Sequence, residues 1–233
     1  MEFLDRNDMG SKQFEKETTS RLKKVRYGHF QWGPYVMISK IPDYITVRML
    51  EEGKLLREKD SYNHKLAGQL NHQYRFGTEA AKWFYIEITP FIQAYRDGHC
   101  EYHGLDKKVN VDIEPKDLWI NYMKPGDYNP PHIHGGDYSF VFFLDVPKEI
   151  HEEKKNFKGT HSGPGSLAFM YGQVAKPMWA SVEKVVHPKS GDFFMFPAML
   201  YHTVSPFKSN VTRISISGNL NIINRDDLPQ GYF

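Results

Sequence analysis

Two histidines one residue apart, in Asn129-Pro130-Pro131-His132-Ile133-His134, are the residues best placed to do chemistry in this chain. On an extended segment side chains repeat every two residues, so His132 and His134 project to one side and can share a metal ion. Pro130 and Pro131 favour that extended backbone. The pair alone does not define a site, because an exposed His-x-His with no ligand role is at least as common, and a third donor is needed. His202 is the best candidate. It follows Gly191-Asp192, the apolar run 193–196 and a break at Pro197, and stands at the entrance to a further strand. Downstream, Arg213-Ile214-Ser215-Ile216-Ser217 alternates polar and aliphatic side chains, so Arg213, Ser215 and Ser217 share one face of a strand. A guanidinium on an inward face with a hydroxyl beside it is a fork for a carboxylate.

The remaining histidines (His29, His64, His72, His99, His103, His151, His161 and His187) stand in polar or turn contexts with no second ligand at a metal-binding spacing. His161, beside Ser162-Gly163-Pro164-Gly165, reads as an exposed loop residue rather than part of a mobile cover. Cys100 has two imidazoles nearby in 97–103, too few ligands for zinc, and this stretch reads as a polar loop.

The elements that must position these residues change in texture near residue 105. From Val109 onward, short apolar or alternating runs are divided by Pro, Gly, Asn and Asp. The strands expected are 118–123, 138–146, 166–171, 182–186, 193–196 and 213–222, with turn residues at 124–127, 162–165, 189–192 and 206–210. That many short strands point to a sandwich or barrel. Upstream, a helix is expected to open at Pro42-Asp43 with Ile45, Leu50, Leu55 and Leu56. A stronger one opens at Thr78, whose stripe of Trp83, Phe84, Ile86, Ile88, Phe91, Ile92 and Tyr95 reads as a core face. Pro90 predicts a kink or break. The charged tract 148–155 reads as a solvated insert of one or two helical turns. The expected organisation is one α+β, mainly β domain: helical support over 1–105 and a β core over 106–224.

The chain has 233 residues, 40% of them apolar and 15% aromatic, enough to bury the core of one larger domain. Its 30 Lys+Arg stand against 28 Asp+Glu, and no long like-charge block supports nucleic-acid or membrane binding. The basic stretch 21–26 reads as a solvated edge. A single cysteine excludes an intramolecular disulfide and fits a reducing compartment. With no basic-then-apolar leader and no membrane-length apolar run, a cytoplasmic protein is expected.

Taken in order, these motifs resemble the 2-oxoglutarate/Fe(II)-dependent oxygenases, and most closely a branch common in bacteria and tailed phages. The matching residues are Trp119-Ile120-Asn121, Pro125-Gly126, His132-Ile133-His134 and the strand 139–144, then Gly191-Asp192, Phe196-Pro197, His202 and 213–219. The similarity spans 115–222, and more loosely Leu66-Ala67-Gly68-Gln69. It implies a double-stranded β-helix, a jelly-roll or cupin-like squashed barrel, holding Fe(II) near its mouth. The implied activity couples decarboxylation of 2-oxoglutarate by O2 to hydroxylation of a substrate. A peptidyl proline or lysine, an amino acid, a nucleobase or a small metabolite would all be compatible. It further implies His132 and His202 as iron ligands, Arg213 as the anchor of the distal carboxylate of 2-oxoglutarate with Ser215 assisting, and Asn121 as a co-substrate residue. One departure stands out. The usual third ligand is a carboxylate, and His134 occupies its place. Asp137, beyond Gly135-Gly136, is the alternative ligand, or else a hydrogen-bond acceptor behind His134 or a turn residue. Tyr138, Trp179 and Tyr201 are either rings at the mouth or packing residues. Two other readings stay open: a three-histidine cupin-type dioxygenase without 2-oxoglutarate, and a non-catalytic barrel. Arg213 opposes the first, and the full set of histidines with the arginine opposes the second.

Overall fold

The computed structural model describes residues 33–160, 162–172 and 183–229 in full, together with the backbone of 16–19 and 24–27. His29, His161, Trp179, Val182 and the start of the basic stretch at Arg21 lie outside the described residues. In chain order the strands and helices are β1 (Lys16–Thr19), β2 (Lys24–Tyr27), β3 (Met37–Lys40), α1 (Asp43–Leu55), β4 (Gln73–Arg75), α2 (Thr78–His103), β5 (Ile113–Met123), β6 (Asn129–His132), β7 (Tyr138–Asp145), α3 (Lys148–Lys155), β8 (Leu167–Met170), β9 (Glu183–Val186), β10 (Asp192–Pro197), β11 (Tyr201–Val204) and β12 (Arg213–Ile222).

Two antiparallel sheets form the β-helix: a six-stranded one in the order β3-β10-β7-β12-β5-β4 and a four-stranded one in the order β6-β11-β8-β9. The period of two divides the residues of the large sheet between two cores. Phe140, Phe142, Phe193, Met195, Ile120 and Ile216 pack outward with Phe84, Tyr85, Ile88 and Tyr95 of α2. Their neighbours Phe143, Phe194, Phe196 and Met123 face the small sheet and pack with Leu167, Phe169 and Val204. The inward face of β5 and β12 is polar, which leaves space between the sheets at that end.

Four sequence expectations need correction. The N-terminal half is not only helical: β3 and β4 form the two edges of the large sheet, and three-residue β4 is too short to show a period. Helix α2 runs through Pro90 without interruption. Pro90 is exposed, so water can satisfy the carbonyl its ring leaves free. Ile86 is 60% exposed and does not belong to the buried stripe. The charged tract is helix α3, but it is not merely solvated. Ile150 is buried, and the carboxylate of Glu153 accepts hydrogen bonds from the Lys208 and Ser209 amides and the Ser209 hydroxyl. This pins the connection into β12.

Gly218 lets β12 lie close under α2. A Cβ there would sit 2.4 Å from the Phe140 ring, 2.7 Å from the Asp117 carbonyl oxygen and 2.7 Å from the Tyr85 hydroxyl. Because one of these atoms is backbone, a side-chain shift cannot absorb the clash. Gly218→Ala is expected to cost about 1–3 kcal/mol, read as a lower urea midpoint with unchanged slope. An unchanged midpoint would mean that the packing there is loose.

Candidate active site

His132 and His202 are directly paired across β6 and β11, and their ring centroids are 4.2 Å apart. His134 is not on the strand as the sequence predicted: β6 ends at His132. The chain then turns through Gly136, at φ +111°. The backbone N–H of His134 donates to the Ala198 carbonyl at 2.9 Å, which brings its ring back to the pair. The candidate ligand nitrogens of the three histidines all lie within 4.8 Å of one another, and His134 Nε2 is 3.1 Å from His202 Nε2. His132 Nδ1 lies 2.7 Å from the Pro130 carbonyl and His202 Nδ1 2.9 Å from the Leu200 carbonyl. A nitrogen facing a carbonyl carries the proton, so in both rings Nε2 keeps its lone pair for a ligand.

Burial pushes all three imidazoles toward the neutral form. His134 is pushed down to about 3, by burial first and then by His202 and His132. His202 is pushed down to about 4, by burial and His132 against the bond to the Leu200 carbonyl. Burial also lowers His132, opposed by hydrogen bonds to the backbone of Pro130 and His202. Asp137 is outside this group. Its carboxylate accepts the Ile222 amide at 2.7 Å and pairs with Arg225, while its backbone N–H and carbonyl bond Leu220 and Ala198. Asp137 thus fixes the loop that carries His134.

The register of β12 on β5 sets Arg213 opposite Met123, Ser215 opposite Asn121 and Ser217 opposite Trp119. Gln73 on β4 pairs with Asn121 from the other side. These side chains share the inner face as a cross-strand row. Gln73 Nε2 donates to Asn121 Oδ1 at 2.8 Å, and Asn121 Nδ2 lies 3.4 Å from Ser215 Oγ and 3.3 Å from Ser217 Oγ.

Arg213 is 3% exposed. It donates from Nη1 to the Gly165 carbonyl at 2.7 Å and from Nη2 to Met123 Sδ at 2.7 Å, with its guanidinium 5.3 Å from the centre of the Phe143 ring. Nε has no partner, and among the described residues no carboxylate pairs with it. Burial alone lowers it to about 10. Gly165, at φ +66°, brings its carbonyl to Arg213 while passing under Ile150, whose Cγ2 would be 2.5 Å from an added Cβ.

One cavity of about 260 Å³ joins the histidines to this row, and Arg213, Ser215 and Asn121 all line it. The sequence-derived residues are therefore together. The exceptions among the described residues are Asp137, held behind the site, and two aromatics. Tyr138 is in the core against Tyr95, with ring centres 5.1 Å apart, and Tyr201 is 54% exposed; neither lines the cavity. Trp119 does line it, with its ring centre 5.8 Å from that of His134. Sequence reasoning missed Gln73, Lys65, Lys116 and Tyr62 on the cavity wall. Gln73 gave no signal, since a polar residue in so short a strand looks like loop.

The depressed imidazoles set the pH dependence of the metal-free protein. Histidines in the unfolded chain bind protons below about pH 6.5. His134 and His202 do not bind them until about 3 and 4. Their contribution to stability is complete above about 6.5 and is lost as pH falls toward 4, by roughly 2 kcal/mol per group at pH 5. Urea midpoints of metal-free protein should fall between pH 7.5 and 5, and less steeply in a His134→Gln, His202→Gln variant. Parallel curves would contradict the burial of these rings.

Residues 117–219 match the family described as "Putative 2OG-Fe(II) oxygenase". No curated protein sequence matches the chain. Among solved structures, the viral collagen prolyl hydroxylase of Paramecium Bursaria Chlorella virus-1, in its 2OG complex, aligns with TM-score 0.51 at 15% identity, over 82% of this chain and 98% of that one. HygX from Streptomyces hygroscopicus, with nickel and 2-oxoglutarate bound, aligns with TM-score 0.53 at 9% identity, over 81% and 83%. The same protein with iron bound gives 0.50 at 11% identity, over 83% and 84%. At these identities the likeness establishes the fold, a double-stranded β-helix. The motifs read from the sequence fall inside the matched segment 117–219, and on that segment the chain is similar to the 2OG-Fe(II) oxygenases.

Proposed function

We propose that His132, His134 and His202 hold Fe(II), and that Arg213, with Ser215 and Asn121, holds the distal carboxylate of 2-oxoglutarate. The donor set fits the metal. Three imidazoles held neutral by burial offer nitrogen lone pairs without first having to lose a proton, and imidazole suits iron. When bound, Fe(II) supplies the O2 chemistry that couples decarboxylation of 2-oxoglutarate to hydroxylation of a substrate C–H.

The residues of the chain do the rest. The Nδ1 contacts of His132 and His202 to backbone carbonyls fix which nitrogen faces the metal. Asp137 holds the loop of His134 and takes no direct part. Asn121 donates toward both serine hydroxyls, which frees their hydrogens to point at a carboxylate. Trp119 and Phe143 line the cavity and limit the water that would compete for Arg213. Three neutral ligands leave the site one charge more positive than two histidines and a carboxylate would, which favours a dianionic co-substrate.

The observation that carries the assignment is Arg213, buried in the same cavity as the histidines with no carboxylate partner among the described residues. An unpaired buried cation is costly, and a structural arginine would have an acid beside it. Anaerobic titration of the Fe(II)-loaded protein with 2-oxoglutarate, followed by its visible charge-transfer band, tests this. Arg213→Met should weaken 2-oxoglutarate by about 100-fold, the loss of a buried charge-paired contact, keep the iron, and leave the ligand-free protein as stable or more stable. Unchanged affinity would refute the anchor. For the third ligand, His134→Ala should abolish tight Fe(II) binding while Asp137→Asn weakens it by about 10-fold or less; the reverse order would make Asp137 the ligand.

A further inference from the structure

The same cavity is lined by residues with acceptors that 2-oxoglutarate cannot satisfy. Gln73 is 2% exposed, and its other polar groups are committed. Its backbone N–H donates to Asn63 Oδ1 at 3.0 Å, its carbonyl accepts the Tyr62 amide at 2.8 Å, and Nε2 donates to Asn121. Side-chain Oε1 is left buried without a partner. Asn129 Oδ1, on the same cavity, is likewise unpartnered. It has room only because residue 68 is glycine, since a Cβ there would sit 2.2 Å from it. A buried acceptor left unmatched costs about 1–3 kcal/mol, and two among the residues lining one cavity imply that something arrives to fill them.

2-Oxoglutarate has two carboxylates and a ketone, all acceptors, and brings no donor at neutral pH. Its complements are Arg213, Asn121 Nδ2 and the serine hydroxyls. Resting on the function proposed above, we infer that Gln73 Oε1 receives a hydrogen-bond donor of the primary substrate. That donor is a neutral N–H or O–H. A cationic ammonium fits less well, because three cations, Arg213, Lys65 and Lys116, stand on the same cavity against one carboxylate, Asp117. Acceptor polarity at Gln73 follows from the row itself. Turning both amides over would point Asn121 Oδ1 at Ser215 and Ser217 and draw their hydrogens away from the co-substrate. Gln73 lies upstream of the family-matched segment 117–219, so it is a specificity feature carried by this chain's own β4.

A matched pair of probes tests the inference without knowledge of the substrate. N-methylacetamide carries one N–H donor; N,N-dimethylacetamide keeps the carbonyl and lacks the donor. Both are titrated by ligand-observed NMR into protein loaded with Zn(II), a redox-inactive stand-in for iron, and 2-oxoglutarate, whose own signal is read in the same tubes. In wild type the donor-bearing amide should bind about 3- to 10-fold tighter, the worth of one hydrogen bond. Gln73→Met, which keeps the side-chain length but has no such acceptor, should bring the ratio to about 1, and Gln73→Glu, which retains an acceptor, should keep it. Using the ratio within each protein cancels any general loosening of the cavity. An unchanged ratio in Gln73→Met, meaning that Oε1 meets only solvent, would overturn the inference, as would tighter binding of the dimethyl amide. Failure of 2-oxoglutarate itself to bind wild type would overturn it through its premise, and the co-substrate signal would show which had failed.

Discussion

Arg213 is held at the cavity floor by contacts that orient it without neutralising it: a glycine carbonyl, a thioether and the face of a phenylalanine. Desolvating a guanidinium without an anion costs several kcal/mol, and much of the surrounding structure serves to keep it there. Gly165 brings the carbonyl in from beneath Ile150, and α3 anchors the connection that leads into β12 through Glu153. The register of β12 on β5 then places the serines and Asn121 beside the cation.

The same pleat that exposes Arg213 to the cavity buries Ile214 and Ile216 toward α2. Alternation therefore does two jobs at once: odd positions of β12 build the site while even positions bind the sheet to its helical support. A one-residue slip would place the arginine in the aromatic core and an isoleucine in the pocket. The packing of Phe84, Tyr85 and Tyr95 on the sheet thus fixes the register of the active site as well as stabilising it, and Gly218 marks how closely the two layers must approach.

Legibility from the sequence follows these physics closely. Strand β12 was readable to the residue because a strict polar–aliphatic alternation leaves one solution. Arg213 was readable from that alternation, and His132 and His202 as candidates from the His-x-His spacing and from the turn and Pro197 break that precede β11. Less was legible where tertiary contacts decide. His134 reaches the site through a Gly136 turn and an Ala198 hydrogen bond, not by strand geometry. Asp137 stood as the alternative ligand because the resembled family carries a carboxylate in its triad, and only tertiary contacts place its carboxylate on the Ile222 amide and Arg225. Strands β3 and β4 are too short to carry a period, and Gln73 owes its burial wholly to pairing with a strand far along the chain.

The proposed ligand set is where this chain would depart most from the two-histidine, one-carboxylate pattern, and it would set the charge of the whole cavity. X-ray absorption on the Fe(II)-loaded protein counts the imidazoles around the metal through their outer-shell scattering. Three imidazoles in wild type, falling to two in His134→Ala and staying at three in Asp137→Asn, is the result expected here. Two imidazoles in wild type, with a carboxylate contribution that disappears in Asp137→Asn, would contradict it and make the His134 ring a neighbour of the metal rather than its ligand.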